Sequence, residues 1–241
     1  MIAPSDITGL VLAGGRGSRM GGVDKGLQPF AGQPLAQHAL QRLAPQVGPL
    51  LVNANRHLDT YRAWGVDVVT DTEADTAPEF AGPLAGFLAG LLHCRTPWLL
   101  AVPCDTPRFP TDLAARLVAA AHAAQAPLAV VHAPDAEASA SVSAAPTDGA
   151  IETAAACALP LRAQPAFCLI HTSLLGSLQQ FVTTGGRKID RWTAQHPLAV
   201  ACFDQPGDDP LAFANANTLQ ELAALQALQG LHAAPTHSEH R

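Results

Sequence analysis

The sequence predicts an α/β fold of three layers, with helices over both faces of a mostly parallel central sheet. Short apolar runs alternate along the chain with segments whose apolar residues recur at helical spacing. Such strand–helix alternation implies right-handed crossovers between parallel strands and a sheet covered on both sides. The 241 residues, 48% of them hydrophobic, are ample for the core that such a sheet requires.

The elements follow in order. Ile7 to Leu12 reads as a buried strand ended by a glycine loop. Pro34 to Val47 carries Leu35, Ala39, Leu43 and Val47 on one helical stripe. Leu50 to Ala54 and Asp67 to Thr70 read as strands, and Gly82 to Leu92 as a helix despite its glycines. Trp98 to Val102 is a strand stopped at Pro103-Cys104-Asp105. Thr111 to Ala124 is a helix with Thr111 as N-cap after Pro110, and Leu128 to His132 is a further strand. Residues 133–149 are rich in Ala, Ser, Pro, Asp and Glu and read as a flexible surface insertion. Order resumes with Pro165 to Ile170 as a strand, Ser173 to Val182 as a helix, an Ile189 to Gln195 helix and a Leu198 to Phe203 strand. Thr218-x-x-Glu221 is a capping box opening a leucine-rich helix to Gln229, and residues 230–241 read as a disordered tail.

Composition excludes several classes. The formal net charge of −6 argues against a generic polyanion binder, so no nucleic-acid partner is expected and any phosphate site must be a local basic focus. No apolar run is long enough to span a membrane, and the N-terminus lacks the pattern of a signal peptide. The five cysteines are odd in number and form no C-x-x-C, which fits a reducing compartment better than a disulfide framework. A cytoplasmic location is expected.

Chemistry concentrates in LVLAGGRGSRMGGVDKG, residues 10–26. It is neither a P-loop nor a dinucleotide fingerprint: Gly26 follows Lys25 where Ser or Thr is needed, and Met20 stands where the last glycine belongs. The physical logic is still that of a phosphate cradle. Gly14, Gly15 and Gly17 allow backbone N–H groups to approach an anion, and Arg16, Arg19 and Lys25 can neutralise it. Lys25 and Lys188 are the only lysines, so Lys25 marks a place for a compact point charge in a chain that otherwise uses arginine. The loop, Asn53, Asp71 and Asp105 all fall at strand carboxyl ends, the rim where such sheets bind ligands.

The stretch LAGGRGSRMGGVDKGL resembles the opening signature of the molybdenum cofactor guanylyltransferases, the MobA-type enzymes of the nucleotidyltransferase superfamily. VNANR (52–56), the Asp71 strand end, GPLAG (82–86), PCDTP (103–107) and NANT (215–218) extend the resemblance in order along most of the chain. It implies a Rossmann-like nucleotidyltransferase fold in a single domain, with residues 1–132 as nucleotide-binding half and 165–229 as molybdopterin-binding half. It implies transfer of GMP from GTP to molybdopterin, giving molybdopterin guanine dinucleotide and pyrophosphate. In-line attack of one anion on another calls for alignment and charge neutralisation, so magnesium is the expected cofactor.

By the same resemblance, Leu12, Ala13, Gly14, Gly15, Asn53 and Asp71 bind the nucleotide, Lys25 touches its phosphates, and Asp105 binds nucleotide and metal. Arg19 is a catalytic candidate on chemistry alone. Gly82, Arg187, Lys188, Asn215 and Asn217 are candidates for molybdopterin. Without the resemblance, Asp71 reads as a solvated loop carboxylate, Asn215 equally as a helix-entry residue, and Gly185 to Lys188 as a loop before a helix. Other molybdenum cofactor biosynthesis proteins and apo-molybdoenzymes are the expected partners. Two alternatives stay open: a CTP-dependent cytidylyltransferase acting on molybdopterin or a sugar or polyol phosphate, and a non-catalytic nucleotide-binding adaptor.

Overall fold

In the computed structural model, residues 2–15, 22–71, 82–135, 160–216 and 218–232 are described. Their strands are β1 (Ile7–Leu12), β2 (Pro29–Phe30), β3 (Gln33–Pro34), β4 (Leu50–Asn53), β5 (Asp67–Val69), β6 (Trp98–Pro103), β7 (Leu128–Pro134), β8 (Leu161–His171) and β9 (Leu198–Cys202). The helices are α1 (Leu35–Leu43), α2 (Leu58–Arg62), α3 (Pro83–His93), α4 (Leu113–Ala124), α5 (Leu175–Thr183), α6 (Ile189–Thr193) and α7 (Leu219–His232). Seven strands form one sheet in the order β5-β4-β1-β6-β8-β7-β9, and β2 and β3 pair as a separate two-stranded hairpin.

The sheet is mostly parallel, as expected, but mixed. β1 pairs in parallel with β4 and β6, β4 with β5, and β7 with β9. β8 runs antiparallel to both of its neighbours, β6 and β7. Apolar periodicity cannot show this, because a strand buried on both faces reads the same in either direction.

Three layers follow from two cores. Ile7 and Val11 of β1 face Leu43 of α1, Tyr61 of α2 and Leu117 of α4 in one cluster. Leu10 of β1 faces the other way, into Leu84 and Leu88 of α3, Leu178 of α5 and Trp192 of α6. That alternation within one strand is the period of two expected of extended chain. The last helix, α7, packs Leu222 and Leu225 against Phe30 of the hairpin and Leu35 of α1.

Helix α3 explains its own glycines. It is buried from Leu84 to Leu91, and a Cβ on Gly90 would stand 2.5 Å from Leu10 Cδ2 of β1. The helix lies so close to the strand that only hydrogen fits there.

Three local expectations change. Helix α4 begins at Leu113 with Asp112 at its N-cap position, and neither Asp112 nor Thr111 caps it. Instead Gln46 Oε1, far upstream, accepts from the Ala114 N–H at 3.0 Å, a cap supplied by tertiary contact. Ala133 and Pro134, read as the start of the insertion, belong to β7, and Asp135 pairs with Arg162 at 2.9 Å; residues 136–149 lie outside the described residues. Residues 230–232, read as tail, complete α7, and residues 233–241 lie outside the described residues. The Thr218–Glu221 capping box forms as read: Glu221 N donates to Thr218 Oγ1 at 3.1 Å and Thr218 N to Glu221 Oε2 at 3.3 Å.

Candidate active site

A cavity of about 590 Å³ opens at the carboxyl ends of the parallel strands. Its origin is a fork in the sheet. β1 and β6 stay paired as far as Leu12 opposite Pro103, but β6 and β8 separate beyond Ala101 opposite Cys168. On the other side of β8 the register jumps: Val130 faces Cys168 and Val131 faces Gln164. Pro165, Ala166 and Phe167 are thus left without partners on β7. Proline has no N–H for a ladder, so Pro103 and Pro165 suit the two tines of the fork.

The glycine end of β1 forms one lip. Leu12, Ala13, Gly14 and Gly15 line the cavity, and Lys25 lies beside them on the turn from Lys25 to Leu27. Gly14 must be glycine, because a Cβ there would meet Asn53 Oδ1 and Asn55 Nδ2 at 2.7 Å each. The Lys25 turn is braced from beneath. The buried Asp24 carboxylate accepts from Gly26 N at 3.1 Å and from the Tyr61 hydroxyl at 2.8 Å. Burial first, and then the Asp24 carboxylate, push the Tyr61 phenol far above its ordinary range, so it stays a donor.

Lys25 Nζ meets Asp105 Oδ2 at 2.5 Å, with the two side chains 18% and 19% exposed. The partners come from the loop after β1 and the end of β6, neighbouring strands of the sheet. A mostly buried pair feels a lower effective dielectric than a surface pair and is held more firmly. Next to it, burial pushes the Cys104 thiol well up, so it stays protonated and is no nucleophile.

Asn53 and Asp71 stand together at the ends of β4 and β5. Asn53 Nδ2 donates to Asp71 Oδ1 at 2.8 Å, and Asn55 Nδ2 donates to Asp71 Oδ2 at 2.6 Å and to Gly14 O at 3.0 Å. The Asp71 N–H returns to Asn55 Oδ1 at 2.9 Å. Asp71 is therefore an organised carboxylate rather than a solvated one. Arg56 donates to Gly15 O at 3.2 Å, Gly22 O at 2.7 Å and Val23 O at 3.3 Å. It ties the two shoulders of the loop together.

The far side is built by later segments. Gln164, Pro165, Ala166, Phe167, Ile189 and Asn215 line the cavity there, with Gly82 and Pro83 closing an edge. The fully buried Thr106 donates from Oγ1 to Asn215 Oδ1 at 2.7 Å, and Ala216 N donates to Asp105 O at 2.8 Å. Asn215 is thereby coupled to the segment that carries Asp105.

Of the residues singled out from the sequence, Leu12, Ala13, Gly14, Gly15, Lys25, Asn53, Asp71, Gly82, Asp105 and Asn215 all line this one cavity. Arg187 and Lys188 are exposed and do not line it, although the next residue, Ile189, does. Arg16, Arg19 and Asn217 lie outside the described residues. Sequence reading missed Asn55, Arg56, Tyr61, Thr106 and the Gln164–Phe167 wall. Asn55 and Arg56 were within sight, since they belong to the VNANR stretch; nothing in the local sequence marks Tyr61 or Gln164. Among the described residues no three His, Cys, Asp or Glu side chains cluster as a metal cage. No described helix is long and apolar enough to cross a membrane.

Comparison with known proteins bears on the fold and the family. Residues 9–240 match the model of the MobA-like NTP transferase domain. The chain is 58% identical over 228 residues to the molybdenum cofactor guanylyltransferase of Acidovorax ebreus, covering 95% of this chain and 99% of that one. It is 55% identical to the enzyme of the same name from Albidiferax ferrireducens, over 94% of this chain and 98% of that one. Among solved structures, molybdopterin-guanine dinucleotide biosynthesis protein A from Archaeoglobus fulgidus superposes with a TM-score of 0.67 at 16% identity, covering 93% of this chain and 99% of that one. A CMP:2-keto-3-deoxy-manno-octonic acid synthetase superposes equally, with a TM-score of 0.67 at 15% identity, covering 95% and 100%. The structural matches show a shared fold, while the near-full-length sequence matches go further: the chain belongs to the MobA-like NTP transferase domain family.

Proposed function

We propose that this protein is a molybdenum cofactor guanylyltransferase, moving GMP from GTP to molybdopterin with release of pyrophosphate. The observation that carries the reading is the Lys25–Asp105 pair, 2.5 Å apart on a cavity with a glycine lip on one side and a second wall on the other. A transfer between two phosphorylated substrates needs that layout, and the identity to guanylyltransferases supports GTP as donor.

In the proposed reaction a terminal phosphate oxygen of molybdopterin forms a bond to the α-phosphorus of GTP. The bond from that phosphorus to the β-phosphate oxygen breaks, and the electron pair leaves with pyrophosphate. The Gly14–Gly15 backbone and Lys25 hold and neutralise the triphosphate. Asn53, Asn55 and Asp71 fix the nucleotide end, and Arg19, in the same loop, belongs to the phosphate-binding proposal. Gly82, Asn215 and Asn217 are assigned to molybdopterin. Arg187 and Lys188 are assigned to its outer approaches, since they are exposed.

Asp105 is the proposed magnesium ligand. Of the two carboxylates that line the cavity, Asp71 is held by Asn53 and Asn55, while Asp105 stands beside Lys25 and fits an ion that takes its remaining ligands from phosphates and water. When bound, the ion supplies neutralisation of the charge on the leaving phosphates. Free thiols at Cys94, Cys104, Cys168 and Cys202 suit a reducing compartment, and we place the protein in the cytoplasm, serving apo-molybdoenzymes together with other cofactor-biosynthesis proteins.

The test is turnover of the purified chain with magnesium, molybdopterin and each common nucleoside triphosphate. GTP is expected to yield pyrophosphate and the guanine dinucleotide. Turnover with CTP alone would reassign the donor, and pyrophosphate from none would leave a nucleotide-binding adaptor.

A further inference from the structure

The wall that sequence reading left unassigned raises a separate question: what does Gln164 recognise? Gln164 lines the cavity and is half-buried, and no described residue hydrogen-bonds its side-chain amide. Its amide atoms still reach solvent through the open cavity, so their water can be exchanged for a ligand's hydrogen bonds.

The position is built, not incidental. The three residues that follow Gln164 are the ones left without partners on β7, and among them Phe167 is fully buried between Phe109 and Phe213, with ring centroids at 5.8 and 5.0 Å. That anchor fixes the far end of the unpaired stretch, while Val131 opposite Gln164 fixes the near end. Because β8 is antiparallel, its first half, and not its end, reaches the rim formed by the carboxyl ends of β1 and β6.

Sheet order separates the two substrates. Asn53 ends β4 and Asp71 follows β5, on one side of β1; Gln164 stands on β8, on the other side of β6. The Lys25–Asp105 pair lies between them, on the segments that follow β1 and β6. With the nucleotide along β4 and β5, the acceptor must enter along β8. Asn215 lines this side too, and the Thr106 proton given to its Oδ1 turns its Nδ2 away from Thr106 with no described partner.

We infer that Gln164 is a specificity-determining residue for the acceptor, its amide reading the donor–acceptor edge of the pterin ring. This rests on the reading of the protein as a guanylyltransferase. A side-chain amide carries a carbonyl acceptor and an NH2 donor on one carbon, which matches a lactam edge carrying an N–H beside a carbonyl. A site built to hydrogen-bond its substrate discriminates strongly, because the wrong ligand leaves its polar groups unpaired.

The test uses the full chain with Gln164→Leu, which removes both functions, and Gln164→Glu, which keeps the shape and the acceptor. KM for molybdopterin and KM for GTP are measured separately, with the urea midpoint as the check on folding. Both variants are expected to raise KM for molybdopterin about tenfold while KM for GTP and the midpoint hold. If Gln164→Leu does not fold, the Gln164→Glu split alone decides. An unchanged KM for molybdopterin, or a rise confined to GTP, overturns the assignment while leaving guanylyl transfer intact. A wild-type chain that makes no dinucleotide from GTP and molybdopterin removes both.

Discussion

At the scale of single residues, the site is a set of charges held in place by partners distant in sequence. Lys25 depends on Asp24 and Tyr61 beneath its turn and on Asp105 across from it. Lys25→Met is expected to keep the fold and cut kcat/KM by about a hundred- to a thousandfold, the loss typical of one electrostatic contact to a transition state. Steady-state kinetics with GTP varied would show it; a loss of less than tenfold would remove Lys25 from the chemistry. Arg56 acts differently, by fastening Gly15 to Gly22 and Val23. Arg56→Met is expected to raise KM for GTP about tenfold with a smaller change in kcat, since it disorders a binding loop rather than a reacting group. A drop in kcat at unchanged KM would contradict that role.

Single elements are tied together by contacts that cross the chain. Gln46 is buried and serves two of them: its Oε1 caps α4 at Ala114, and its Nε2 donates to Pro110 O at 3.2 Å, besides a local bond to Arg42 O at 3.0 Å. Gln46→Ala is expected to lower stability by about 1–3 kcal/mol, as loss of a helix cap together with buried hydrogen bonds would. Thr111→Ala should leave stability nearly unchanged, because Thr111 caps nothing. Urea titration of the two variants side by side distinguishes a tertiary cap from a local one. These elements also show where sequence reading stops. Pro110-Thr111 carries the usual marks of a helix start, and the start was placed within two residues, but the capping atom arrives from a turn that no local window includes. β8 was placed from Pro165 to Ile170 and runs from Leu161 to His171; its direction and its unpaired stretch follow from its neighbours alone.

For the whole molecule, stability is bounded by ionisation on both sides of neutrality. Arg116 donates to both oxygens of Asp208, at 2.7 and 3.0 Å, and its guanidinium stacks 3.8 Å from the Phe203 ring centre. Hydrogen bonding from Arg116 holds the Asp208 carboxyl below its usual range. A depressed carboxyl stabilises the fold above its unfolded value of about 3.9, and that contribution is lost as pH falls through the lower folded value. On the alkaline side, burial raises the Cys104 and Cys168 thiols and the Tyr61 phenol. The unfolded chain releases those protons first, so stability is full below about pH 8.5 and declines as pH rises beyond it. Urea midpoints across pH should form a dome, with its acid limb reduced in Asp208→Asn. Among the described cysteines of the native protein, the exposed Cys202 should react with a thiol reagent first, and the buried Cys104 and Cys168 only on unfolding.

The sequence by itself determined the order of the main strands and helices, though not the β2–β3 hairpin or α2, and it determined the glycine loop with Lys25 and the strand ends where Asn53, Asp71 and Asp105 stand. Those features are local: apolar period, turn residues and a charge placed just past a strand. Tertiary structure alone decided the pairing of Lys25 with Asp105, the antiparallel course of β8, the fork that opens the cavity, and the places of Tyr61, Arg56 and Gln164 beside it. Each depends on which strands become neighbours, and hydrogen-bond partners distant in sequence leave no trace in the order of residues along the chain.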